Sequence, residues 1–229
     1  MSKPGSSRAL QGLVLATVIA LVARYSARFL PAPPWAFFPR SFVVHSVMLA
    51  LTLAGAWWFS RGRLREFGLT RGEFRLNPRI LLWILPTWLL SLPGAILAAG
   101  SASRGGLAGL TGFQTLVFVC VYASISEEFL TRGLLQTLLS QGIPGKSNPT
   151  RMLSIPIVVS ACFFGAMHLV LVPSLGLSAI PVIVLAVILG LVAGWYRETT
   201  GSLAPAVIVH ALFDLGGILP FWVVGWIRS

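Results

Sequence analysis

Six ionisable side chains stand in otherwise apolar stretches of the C-terminal half: Glu127, Glu128, Arg132, His168, His210 and Asp214. Their spacings are ones chemistry can use. On a helix, residues four apart share a face and adjacent residues do not. Glu128 and Arg132 are four apart, so they can pair and offset each other's burial. Glu127 points about 100° away from Glu128 and is left as the unpaired carboxylate, a natural general base. His210 and Asp214 are also four apart. Asp214 can fix the tautomer of His210, or both can face one cavity. Phe164 and His168 repeat the spacing, with Gly165 and Ala166 allowing close helix approach. A seventh group, His45 in SFVVHSVML, has no partner at such a spacing. It reads as a histidine bonded to a neighbouring helix.

The elements that carry these groups belong in a bilayer. The 229 residues are 56% hydrophobic and only 10% charged, against roughly 25% charged in a soluble domain. Mean hydropathy is +0.85. A span takes about 20 mostly apolar residues. The pattern predicts an all-α, polytopic membrane bundle of about eight helices, near residues 9–29, 42–59, 79–99, 112–130, 154–171, 177–195, 202–214 and 215–227. Residues 1–110 form N-terminal transmembrane helices with a basic loop at 60–78. Residues 111–229 form the helix bundle that holds the six groups, integrated with the first part into one membrane domain. Ionisable groups at membrane depth are costly and by default mark a function.

Net charge is +11, yet nucleic acid is not the expected partner. Arg61, Arg63, Arg65, Arg71, Arg75 and Arg79 crowd one connection, the kind of Lys/Arg bias that sets membrane orientation. The N-terminus and loop 60–78 are expected on the cytoplasmic side, and with eight spans the C-terminus too. The basic excess then meets anionic lipid headgroups. The loop, with Leu and Phe among its arginines, reads as an interfacial segment. The first apolar stretch has no convincing cleavage site and reads as an uncleaved helix. Cys120 and Cys162 lie in apolar segments and receive no redox role.

Glu127-Glu128-xxx-Arg132, Phe164-xxx-His168 and His210-xxx-Asp214 together resemble the three motifs of the CAAX protease and bacteriocin-processing (CPBP) family. That family comprises intramembrane endopeptidases, type II CAAX prenyl endopeptidases among them. The resemblance covers roughly residues 115–220. It implies that Glu127 and His168 activate a water, while His210 and the residue at 214 stabilise the oxyanion. Glu128, Arg132 and Phe164 are supporting residues. The family often has Asn where this chain has Asp214, and Asp214 is expected to act as an orienting acceptor through His210.

The expected function is therefore hydrolysis of a peptide bond in a membrane-anchored peptide or protein. The arginine-dominated composition points to a prokaryotic inner membrane. No cofactor is required. The alternative is a zinc ion held by His168, His210 and Glu127, although no HExxH motif is present. Two non-proteolytic readings compete: a membrane scaffold or immunity protein, and an ion or proton carrier using the same buried groups.

Overall fold

The computed structural model describes residues 4–33, 39–72, 77–100, 112–143 and 153–227. Among them there is helix and no strand. Five stretches are long and apolar enough to cross a membrane, and Pro78–Pro93 is a shorter apolar helix. We number the helices α1 (Pro4–Ser26), α2 (Pro39–Ser60), α3 (Leu85–Gly100), α4 (Gly112–Gly142), α5 (Ile155–Met167), α6 (Ala179–Thr200) and α7 (Ala204–Ile227).

Their ends follow from capping chemistry. Asn77 accepts the Arg79 N–H at 3.0 Å and Pro78 opens the 3₁₀ turn Pro78–Ile84 that leads into α3. Ser154 accepts from Ile157 N–H at the start of α5. Gly201, at φ 71°, ends α6 in the left-handed conformation that glycine adopts freely. Ser202 then accepts the Ala204 N–H at 3.2 Å and caps the start of α7.

The count of about eight spans is not confirmed among the described residues. Residues 202–214 and 215–227 are one helix, α7, despite Gly216, Gly217 and Pro220. Pro220 has no N–H for the carbonyl of Gly216, four residues back. The hydroxyl of Ser91 on α3 lies 3.1 Å from that carbonyl and shares its one proton between it and the Thr87 carbonyl at 2.7 Å. A neighbouring helix thus satisfies the group the proline orphans, which is how membrane helices tolerate proline.

The apolar stretch Ile155–Thr200 is 46 residues long and folds back on itself. Short helical turns at His168–Leu171, Val172–Leu175 and Gly176–Ser178 separate α5 from α6. Gly165 faces Val187, Ala161 faces Gly190, and Ile157 faces Gly194, so the two helices run antiparallel. A Cβ on Gly190 would lie 2.7 Å from the Ala161 Cα. Small residues at four-residue spacing on both helices permit that approach.

The helices α1 and α2 pack on α4, and α3 packs on α7. The loop after α2 does more than lie on the membrane surface, as its sequence suggested. Phe67 is fully buried, and Gly68 accepts the Leu203 N–H at 3.0 Å. Arg197 donates to the Glu66 carbonyl and Ser202 to the Thr70 carbonyl. The apolar residue in an arginine-rich loop finds protein rather than lipid, while Arg61, Arg63, Arg65 and Arg71 stay exposed.

Candidate active site

Helix α4 places Glu127 and Glu128 in the short α-helical turn Ser124–Glu128. Wider, π-helical stretches flank it on both sides, Leu116–Ala123 and Phe129–Leu135. Such stretches occur frequently at functional sites. The Glu128 and Arg132 side chains are fully buried and paired, Oε1 to Nη1, at 3.1 Å. The spacing argument anticipates this pair. Arg132 Nη1 also donates to Thr131, and its guanidinium lies 4.7 Å over the ring of Phe164.

Phe164 joins the helices. Its ring meets the His168 imidazole edge-on at 4.9 Å and the His210 imidazole at 5.3 Å. An aromatic wall of this kind fixes two imidazoles against one cation. His168 Nδ1–H donates to the Phe164 carbonyl at 2.9 Å. A carbonyl only accepts, so the proton sits on Nδ1 and Nε2 keeps a lone pair.

His210 is held differently from expectation. Its Nδ1–H donates to Glu128 Oε1 at 2.9 Å. Its Nε2 stands 3.6 Å from Asp214 Oδ2 and 3.6 Å from Glu127 Oε2, too far for a hydrogen bond. Glu128, not Asp214, therefore orients the imidazole. Asp214 instead accepts from the Ser124 hydroxyl at 3.3 Å. The i,i+4 spacing brought Asp214 near His210 but could not show that a carboxylate from another helix sits closer.

Glu127 is not unpaired. Its Oε1 accepts from His45 Nε2 at 3.1 Å, and its side chain is 18% exposed. The histidine set aside in the sequence thus touches the carboxylate of greatest interest. Glu127 and His45 are 82 residues apart, and no local pattern reports a contact across that distance.

His168, His210, Asp214 and Phe164 line one cavity of about 380 Å³, with Ser91 and Leu189 among its other walls. Glu127 does not line it. It meets the site through His210. Among the described residues no three His, Cys, Asp or Glu side chains are grouped to hold a metal ion. Glu127 Oε1, His210 Nδ1 and His168 Nδ1 are engaged elsewhere, which leaves Glu127 Oε2, His210 Nε2 and His168 Nε2 as the atoms a zinc ion would use.

The six ionisable groups of the site, together with Phe164, lie on α4, on α5 and its C-cap His168, and on α7. Residues 109–216 match the Rce1-like family of type II CAAX prenyl endopeptidases. The match supports a protease fold region within an integral membrane protein. It takes in α4, α5, α6 and the first half of α7, including every motif residue named above. His45 on α2 lies outside it. Neither a curated protein nor a solved structure matches the chain.

Proposed function

We propose that the chain is an intramembrane endopeptidase of the CPBP type that hydrolyses a peptide bond of a membrane-anchored protein or peptide. One observation carries the reading. The free Nε2 lone pair of His168 belongs to a side chain on the same cavity wall as His210 and Asp214, with Glu127 Oε2 3.6 Å from the Nε2 edge of His210.

In this mechanism a water enters the cavity and donates one hydrogen bond to His168 Nε2. Glu127 Oε2 takes the water's other proton as the oxygen attacks the peptide carbonyl carbon. The carbonyl oxygen becomes an oxyanion, and His210, protonated on both nitrogens as an imidazolium, donates to it from Nε2–H. One such donor is worth about 3 kcal/mol of barrier. Glu128, neutralised by Arg132, holds the opposite edge of that ring, while the Asp214 carboxylate stands 3.6 Å from its Nε2. The tetrahedral intermediate collapses, the C–N bond breaks, and the proton on Glu127 passes to the leaving amine. The chain's own groups supply every proton and no cofactor is needed. The exposed arginines of residues 61–72 favour the cytoplasmic side for that face, with anionic lipids and the anchored substrate as partners, in a prokaryotic inner membrane.

The test uses full-length protein in proteoliposomes with two quenched fluorescent peptides. One carries a prenylated CAAX tail and the other an apolar helix as anchor. Wild type cleaves at least one. Glu127→Ala and His168→Ala each lose at least about 100-fold, the lower range for general acid–base catalysis, with thermal unfolding unchanged. Cleavage retained in both variants removes the proposal. Activity that a chelator abolishes and zinc restores would transfer the water to a metal.

A further inference from the structure

His45 lies on α2, outside the matched family region, and is 14% exposed. Both ring nitrogens face acceptors. Nδ1–H donates to the Ser41 carbonyl four residues back at 2.7 Å, and Nε2 reaches Glu127 Oε1 at 3.1 Å, so the ring that bonds both is the imidazolium, a donor from each nitrogen. The first contact fixes the ring along its own helix. The second carries it across to α4.

The ring is also walled in. Phe118 meets it edge-on at 5.6 Å, and Tyr122 lies at 6.5 Å. Tyr122 is itself pinned by a 2.6 Å hydrogen bond between its hydroxyl and Ser46, and by Phe42 stacked at 5.5 Å. A histidine whose rotation is blocked by two aromatic rings and whose two nitrogens are both bonded has one orientation. It delivers that orientation to one oxygen of Glu127.

Glu127's two oxygens are therefore unequal. Oε1 is bound to His45. Oε2 points toward His210 Nε2 at 3.6 Å, beyond hydrogen-bond length. Oε2 is the oxygen left for work.

We propose that His45 is the positioning residue of Glu127: from the N-terminal helices it clamps Oε1 and so aims Oε2 at the site built by α5 and α7. The proposal rests on the proteolytic reading only for its catalytic consequence; the clamp itself is a statement about two side chains. It also gives α2 a role in the site that the matched region alone does not contain.

Two measurements on full-length protein in lipid nanodiscs test it. The chain has only three histidines, so ¹⁵N-histidine labelling gives three assignable rings. Glu127→Gln shifts the ring nitrogen signals of His45. His45 signals that stay unmoved in Glu127→Gln overturn the clamp, whatever the protein's activity. The second measurement is cleavage of the two anchored peptides. His45→Phe lowers kcat by about 100-fold, the cost of a misplaced reacting group, with KM within twofold. His45→Gln, which keeps an N–H donor near Oε1, recovers at least tenfold of that loss. In the Glu127→Gln background His45→Phe has no further effect. A rise in KM with kcat unchanged, or a Gln variant no better than Phe, overturns the positioning role. If wild type cleaves neither peptide, the proteolytic reading fails and the nitrogen signals alone decide the clamp.

Discussion

Glu128 answers to two partners at once. Its Oε1 receives both Arg132 Nη1 and His210 Nδ1. A buried charge is stabilised only while its partners stay in place, and breaking a buried pair costs about 3–5 kcal/mol because one charge is left uncompensated. Arg132→Leu should therefore destabilise the protein by about that amount, read as a drop in unfolding temperature in detergent. Arg132→Leu combined with Glu128→Leu should recover much of the stability, since no orphan charge remains. It should not recover peptide cleavage, because His210 loses the acceptor on Nδ1. Recovery of both would mean that Glu128 serves the fold alone. At this scale the sequence shows the i,i+4 pair and nothing beyond it. Spacing on one helix reports which residues share a face. It is silent on His45 meeting Glu127 and on His210 meeting Glu128, contacts that span 82 positions each. The three motifs could be read because each is local. The network that joins them depends on how separate helices dock.

Docking is set by small residues, and here the element scale decides the site. Gly190 on α6 would bring a Cβ within 2.7 Å of the Ala161 Cα and 2.9 Å of Arg132 Nη2. The same glycine thus governs the distance between α5 and α6 and the room for the buried guanidinium. Gly190→Ala should cost about 1–3 kcal/mol, the usual range for overpacking, and should lower cleavage by displacing Arg132. Gly217→Ala on α7 makes the contrasting case. A Cβ there meets nothing within 4 Å, so unfolding temperature should hold or rise slightly. Equal losses in the two variants would show that helix separation does not limit stability. The apolar periodicity made α1, α2, α3, α5 and α6 legible to within several residues, but it ended α4 at 130 where the helix runs on to Gly142, because the polar groups after Ser126 interrupt the apolar run. It failed at α7, where Gly216, Gly217 and Pro220 read as a break. The helix continues because Ser91 on α3 takes the carbonyl that Pro220 leaves, a compensation that no window of hydropathy contains.

That one uninterrupted helix changes the topology of the whole molecule. Helix α7 begins beside the loop after α2, with the Leu203 N–H on the Gly68 carbonyl. Its 24 residues rise about 36 Å at 1.5 Å each, more than the roughly 30 Å hydrocarbon core. Trp226, 80% exposed, must then lie at the opposite face from Arg61. Eight spans would have put both on one face. Arg28, at the far end of α1, belongs with Trp226, since Arg8 near the start of α1 bonds Gln141 at the end of α4 on the loop side. The check is cysteine labelling in sealed vesicles, after Cys120 and Cys162 are replaced by alanine. With a membrane-impermeant maleimide, Arg28→Cys and Trp226→Cys should label from the same side. Arg61→Cys should label only from the other side, or after detergent opens the vesicles. The arginines of residues 61–72 would then sit on one leaflet against anionic headgroups, and the loop that carries them caps the bundle through Phe67. Arg61→Cys and Trp226→Cys reacting from the same side would break α7 into two spans. It would also move Asp214 and His210 relative to α5, because the register that sets their cavity depends on α7 being straight through Gly216.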